Sequence, residues 1–361
     1  MEIARPAAEW RPSRRLDALP GYGRGRAGQA IPFRHRLGSN EAPDAGSAGR
    51  DAALQAADAI HRYPDLRGET LAAALSRHHG LGPDCVAVAA GSVVLLDQLI
   101  RAACDPGDEI VTPWRSYEAY PIIAGLSGAR LLEVPLDATH TADPAAILAA
   151  IGPRCRVVLI CNPNNPTGTA LGDDAIDGLL GQIPGDRLVI LDEAYADYAG
   201  DAATVAAQPA RRLARHPNLA VLRTFSKAWG LAGARVGYCL ASTRIVAAVQ
   251  AVAPPFPLPG PCVALALAAL ADPGAVAARV GRNATERARM AEGLAALRLP
   301  VARSRANFVW LPVAADARPL TDHFARASIA VRCFEGEGVR ITTGTRADTD
   351  AVLAAARAWQ G

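Results

Sequence analysis

The stretch TFSKAWGLAGARVG, residues 224–237, places one amine, Lys227, and one guanidinium, Arg235, in a segment that is otherwise mostly apolar and glycine-rich. Thr224 and Ser226 add hydroxyls beside the lysine. An isolated Ser-Lys pair is ordinarily a solvated helix start, because lysine is almost never buried unless it is paired. The residues leading into this one argue otherwise. LAVLRTF (219–225) is a continuous, mostly apolar run, as expected of a strand buried on both faces of a mostly parallel sheet. Similar runs recur upstream in CVAVAA (85–90), EIVTP (109–113), ARLLEVPL (129–136), RVVLIC (156–161) and RLVILDEA (187–194), and downstream in RVGYCLA (235–241). Alanine-rich helical stretches lie between them, as βαβ crossovers require. The expected fold is therefore α/β, a mostly parallel central sheet with helices on both faces.

The Pro-rich APPFPLPGP (253–261) ends this alternation. Beyond it, VALALAALAD and RNATERARMAEGLAAL read as helices, and ANFVWLPV and GVRITTGT as strands of a smaller α+β unit. The expected organisation is an N-terminal arm over 1–35, a large domain over 36–245 and a small C-terminal domain over 246–361. A chain of 361 residues is long enough for that division. No internal repeat is apparent.

Composition excludes several classes. The net charge of +3 offers no strong field for nucleic acid or a membrane surface, so neither is an expected partner. The cysteines Cys85, Cys104, Cys155, Cys161, Cys239, Cys262 and Cys333 are scattered without a C-x-x-C pair, which suggests neither a disulfide framework nor a metal site. A reducing, cytoplasmic compartment is the natural reading. The N-terminal MEIARPAAEWRPSRR lacks the apolar core of a signal peptide, and VALALAALA (263–271) is too short to span a bilayer. GRGRAG (23–28) has the glycine spacing of a dinucleotide fingerprint, but no strand precedes it and no convincing helix follows, so it reads as a loop.

Three strand ends carry the chemistry. CNPNNPTG (161–168), LDEAY (191–195) and TFSKAWGLAGAR (224–235) offer an amide, a carboxylate, a phenol, hydroxyls, an amine and a guanidinium. In open α/β sheets, ligands bind beyond the carboxyl ends of the strands. Each motif alone has a bland explanation, since Asn-Pro turns are common and Asp-Glu pairs usually face water. Together they suit pyridoxal 5′-phosphate, with Lys227 forming a Schiff base and Asp192 keeping the pyridine nitrogen protonated. AAGSVVLLDQLI (89–100) supplies a strand, Gly91, Ser92 and an apolar helix whose first N–H groups would point at a phosphate.

These motifs, with LGSNEAP (37–43), RYPD (62–65), WRSYEAYP (114–121), ANFVWLP (306–312) and GVRITTGT (338–345), span nearly the whole chain. The sequence resembles fold-type-I pyridoxal phosphate-dependent aminotransferases of the histidinol-phosphate aminotransferase family, particularly its actinobacterial aromatic or phenylalanine branch. The resemblance implies catalytic roles for Lys227, Asp192 and Tyr195, with Asn165 and Tyr195 bonding the cofactor's phenolic oxygen. It implies that Gly91, Ser92, Val93, Ser226, Arg235 and the weaker candidate Thr224 hold the phosphate, and that Tyr117 stacks on the ring. Tyr63 would reach the phosphate across the interface of a homodimer. Arg340 would receive the substrate carboxylate, with Arg332 as a second basic group and Asn40 at the substrate's border. Without the resemblance, Arg340 reads equally well as a surface strand residue. Trp114 and Trp229 read as packing.

The implied partners are an amino donor, histidinol phosphate or an aromatic amino acid, and a 2-oxo acid acceptor. Two residues depart from the family's pattern. Asp44 stands in NEAPDAG where an aromatic residue is expected, and Asp97 where the branch commonly has glutamine. A carboxylate at 44 facing the pocket would favour a cationic side chain, whereas one pointing into solvent would leave the plain assignment standing. A lyase or decarboxylase would share this catalytic core. A transcription regulator would require a DNA-binding module for which residues 1–35 are too few.

Overall fold

The computed structural model describes residues 33–44 and 49–359, together with Ser13, Leu19 and Pro20. The GRGRAG segment and most of the expected arm lie outside these residues. In chain order the strands are β1 (His35–Arg36), β2 (Val86–Ala89), β3 (Glu109–Trp114), β4 (Arg130–Pro135), β5 (Cys155–Cys161) and β6 (Leu188–Asp192). They continue as β7 (Leu219–Thr224), β8 (Gly237–Ala241), β9 (Phe308–Leu311), β10 (Ile329–Ala330), β11 (Arg332–Phe334) and β12 (Gly338–Thr342). Seven of them form the central sheet in the order β2-β8-β7-β6-β5-β3-β4. All its pairings are parallel except the two made by β8.

The apolar runs are continuous because successive side chains feed different cores. Along β5, Val158 and Ile160 enter one hydrophobic cluster and Val157 and Leu159 the other. On β6, Val189 and Leu191 likewise oppose Ile190, and on β7 Val221 opposes Leu222. A sheet covered by helices on both faces leaves no polar face to alternate with. The fold is of fold type I, α/β with a mostly parallel central sheet.

A third cluster surrounds the antiparallel sheet β11-β12-β9 and includes Val309, Leu311, Phe324, Val339 and Val352. Leu37 belongs to it, because the chain's beginning runs beside this sheet. Strand β1 pairs in parallel with β10, Leu37 N donates to Ala330 O at 2.8 Å, and Thr342 N donates to Leu37 O at 2.9 Å. Residues 36–40, assigned from sequence to the large unit, are thus hydrogen-bonded to the C-terminal one. Two- and three-residue strands such as β1, β10 and β11 show no periodicity, which is why they were not expected. Among the described residues no single helix is long and apolar enough to cross a membrane.

Candidate active site

A cavity of about 490 Å³ opens where β2, β3, β5, β6 and β7 end, and the residues that follow these strands line it. At one end stands the N-terminus of the helix Ser92–Ala103. The helices at Pro144, Ala202, Pro273 and Arg346 are capped by the side chains of Asp143, Asp201, Asp272 and Thr345. The helix at Ser92, like those at Glu69, Asp173 and Thr243, has no side-chain cap, and Gly91 at φ 98° precedes it. Its first N–H groups therefore remain available to an anion.

Two glycines make this corner possible. A Cβ on Gly91 would stand 2.6 Å from Arg235 Nη2, and one on Gly237 would stand 2.1 Å from Ser92 N. The guanidinium of Arg235 donates to Ser226 Oγ at 3.3 Å, and Thr224 Oγ1 donates to the same oxygen at 3.0 Å. Uncapped amides, a cation and two hydroxyls make a seat for a dianion.

Lys227 lies next to this seat and is the only lysine in the sequence. Everywhere else the chain uses arginine as its long cation, whose guanidinium does not deprotonate in proteins and cannot act as a nucleophilic amine. Burial is the first cause that pulls the Lys227 pKa from 10.5 to about 7, reinforced by the charges of Arg340 and Arg235. Its Nζ donates to Ser39 O at 3.2 Å and Asn40 O at 3.1 Å. Asn40 is buried at φ 55° and holds its own carbonyl there through Thr342 Oγ1, which accepts from Asn40 N and donates to its Oδ1, both at 3.0 Å.

Opposite the amine, Asp192 ends β6. Tyr120 Oη donates to its Oδ2 at 2.9 Å and Ala194 N to its Oδ1 at 3.2 Å. Burial holds this carboxyl above its ordinary pKa, against the two donors, which favour the ionised form. A cation placed beside it would restore the charge. Tyr195 is also buried, and its phenol, pushed to a higher pKa by desolvation, accepts from Asn40 Nδ2 at 3.0 Å.

Arg332 and Arg340 face each other across β11 and β12 as register partners. Arg340 donates to Gly38 O at 2.7 Å and to Asn165 Oδ1. The side-chain oxygen of Asn165 is thus bonded to the arginine that was expected to take the substrate, while Asn165 still lines the cavity. Ser92, Val93, Tyr117, Thr224, Ser226 and Asn40 line it as well. Gly91 acts from behind, by leaving room for Arg235.

Asp44 does not line this cavity. Its carboxylate is held by Arg279 Nε at 3.0 Å and Arg282 Nη2 at 2.7 Å, so of the two orientations the sequence left open, the one facing this cavity is not taken. Asp97 is likewise outside, paired with Arg101 one helical turn away at 2.6 Å. Tyr63 is 82% exposed and stacks on Phe256 with centroids 4.5 Å apart, remote from this chain's own cavity lining. Trp229 packs on Phe225 as expected of a core residue.

Sequence reasoning missed Tyr120 and Glu118, although both stand in WRSYEAYP. Tyr120 stands in the first turn of the helix Ala119–Ser127 and meets Tyr117, just before that helix, edge-on with ring centroids 5.6 Å apart. The isolation of Lys227 as the sole lysine was equally legible.

The family described as aminotransferase class I and II matches residues 35–356. The chain belongs to this family. It is 41% identical over 345 residues to the aromatic amino acid aminotransferase of Rhodococcus jostii, covering 94% of this chain and 93% of that one. It is 42% identical over 347 residues to the enzyme of the same name from Thermobifida fusca, covering 95% and 96%. The histidinol-phosphate aminotransferase of Sinorhizobium meliloti, solved with pyridoxal 5′-phosphate, superposes with a TM-score of 0.89 at 30% identity over 98% of both chains. The protein is thus a pyridoxal phosphate-dependent transaminase. Its residues fit the cofactor: the uncapped helix with Arg235 suits a phosphate, and the buried Asp192 suits a pyridinium.

Proposed function

We propose that the enzyme moves the amino group of an aromatic amino acid to a 2-oxo acid. The observation that carries transamination is the placing of Lys227, a buried amine whose pKa falls to about 7, in one cavity with Asp192 and the phosphate seat. The relatives named for aromatic amino acids, at about 40% identity over nearly full length, support the donor class.

Bound in this cavity, pyridoxal phosphate supplies a ring that withdraws electrons from the donor's Cα. Ser92 and Val93 N–H, Ser226 and Arg235 hold its phosphate, and Asp192, fixed by Tyr120, keeps the pyridine nitrogen protonated. Lys227 Nζ would hold the cofactor's aldehyde carbon and, as a neutral amine, would carry the proton removed from the donor's Cα. Tyr195, Asn165 and Tyr117, which line the same cavity, would hold the cofactor's ring and its phenolic oxygen. Arg340 receives the donor carboxylate.

We further propose a homodimer, in which Tyr63 serves the other subunit's phosphate. The exposed Leu54, Ile60, Tyr63 and Leu66 fit an apolar interface. The second reading of the donor is histidinol phosphate, supported by the likeness to the histidinol-phosphate aminotransferase of Sinorhizobium meliloti at 30% identity over 98% of both chains. A basic donor, anticipated from Asp44, loses its support because Arg279 and Arg282 already hold that carboxylate.

The test is a screen of phenylalanine, tyrosine, histidinol phosphate and arginine as donors, following the cofactor's absorbance as it takes up the amino group. Conversion by phenylalanine or tyrosine is expected. Conversion by arginine alone would refute the aromatic donor, and no conversion by any donor would refute the function.

A further inference from the structure

We propose that Thr342 is a positioning residue for the reacting amine: its hydroxyl fixes the backbone of Asn40 so that the carbonyls of Ser39 and Asn40 receive Lys227 Nζ and the proton it carries. The inference rests on Lys227 as the reacting lysine and adds what aims its acceptors. Leu37 O still accepts from Thr342 N on β12, at 2.9 Å. Three residues on, Asn40 adopts φ 55°, a left-handed conformation that side chains other than glycine take only when their surroundings hold them there. The Thr342 hydroxyl does the holding. It accepts from Asn40 N and donates to Asn40 Oδ1, both at 3.0 Å. The two residues are 2% and 1% exposed, so water does not compete for these bonds. The other polar atoms of Asn40 are also engaged. Its Nδ2 donates to Tyr195 Oη at 3.0 Å, and its carbonyl accepts from Asn307 Nδ2 and from Lys227 Nζ, each at 3.1 Å.

When the proton leaves the donor's Cα for Nζ, the electron pair stays on the donor and the amine becomes an ammonium with three N–H donors. Ser39 O, at 3.2 Å, and Asn40 O take two of them, which leaves the third direction for the proton in transit. Acceptors bonded to the charged form favour it. Burial, Arg340 and Arg235 act against that form, whereas Glu41 and Asp192 support it. The Tyr195 ring lies 5.8 Å from Nζ. All these groups are retained when Thr342 is replaced, so a change in Lys227 then reports the carbonyls.

The experiment measures the protonation midpoint of Lys227 in enzyme loaded with pyridoxamine 5′-phosphate, which leaves the lysine a free amine. Competitive acetylation across pH, read by peptide mapping, reports this residue alone because the chain has no other lysine. Thr342→Val keeps the side chain's shape and removes its hydroxyl. The midpoint should fall by about one pH unit, the size of a weakened hydrogen bond to a charged group. Thr342→Ser, which keeps the hydroxyl, should hold the wild-type midpoint. Asn40→Ala removes the other end of the same bridge and should also lower it, which decides the matter should Thr342→Val not fold. The single-turnover rate of Thr342→Val should fall by about tenfold, with the donor's KM moved less. A residue that merely packs would lower thermal stability and leave the Lys227 midpoint alone. An unchanged midpoint in Thr342→Val, or one that rises toward 10.5 as water enters, would overturn the assignment. An error in the reading of Lys227 itself would appear separately, as a Lys227→Ala enzyme that still transaminates.

Discussion

At Lys227 the controlling quantity is the proton on Nζ. Only a neutral amine attacks an aldehyde, and a pKa near 7 leaves a large neutral fraction at ordinary pH. In cofactor-free protein, reaction of Lys227 with a small aldehyde, resolved from the N-terminal amine by peptide mapping, should show a midpoint near pH 7 rather than 10.5. Stability follows with a definite sign. Between about pH 7 and 10.5 the unfolded chain binds this proton and the folded one does not, so the wild type gains stability as pH rises through that window. Below the folded pKa both states carry the proton and the slope vanishes. Lys227→Met, lacking the group, should show no such gain, and parallel unfolding curves for the two proteins from pH 7 to 10 would contradict the shift. Lys227→Ala should retain cofactor but lose transamination by several orders of magnitude, read by single-turnover absorbance. Asp192→Ala should slow removal of the Cα proton sharply while leaving the fold intact; an unchanged rate in stopped flow would place the pyridine nitrogen elsewhere.

At the scale of elements, the site depends on what holds strand β6 behind it. Glu193, next to Asp192, is buried and bound by Arg223 Nε at 2.8 Å and Arg212 Nη1 at 3.3 Å, each guanidinium being buried itself. Glu193→Ala would leave the buried Arg223 without its carboxylate, although Arg212 keeps Asp173 and Asp177, and a loss of about 3–5 kcal/mol in unfolding free energy is expected. A denaturant midpoint equal to the wild type's would show that the network is not load-sharing. At the other strand end, Gly91→Ala combines a left-handed backbone with a Cβ pressed on Arg235. Strain of about 1–3 kcal/mol should appear as weaker cofactor retention, measured by equilibrium dialysis. This corner was legible from GS followed by an apolar helix. The lack of a side-chain cap was not, because a cap is a matter of which atoms end up within reach.

At the scale of the whole molecule, the proposed dimer carries the remaining prediction. Tyr63→Phe should weaken cofactor retention by the value of about one hydrogen bond to a charged group, roughly 1.5–3 kcal/mol. Sedimentation of a fully active monomer would rule out the shared site. The chain's own topology already joins distant segments: Gly38, Ser39 and Asn40 reach Arg340, Lys227 and Tyr195 from the opposite end of the sequence.

Sequence by itself determined the sheet and its buried strands and named the candidate reacting groups. Burial on both faces forces continuous apolar runs, and only certain side chains can serve as amine, carboxylate and phosphate clamp. Lys227, Asp192 and Arg235 were readable for that reason, since each stands at or after the carboxyl end of such a run. Tertiary structure decided the pairings. Whether Asp44 faced the pocket or solvent was open in the sequence, and Arg279 and Arg282, more than two hundred positions away, are what hold it. Glu118 drew no expectation from the sequence, and the folded chain sets it against Arg332. A charged side chain's role depends on which opposite charge lies within about 4 Å, and that distance is fixed by the packing of elements far apart in the chain.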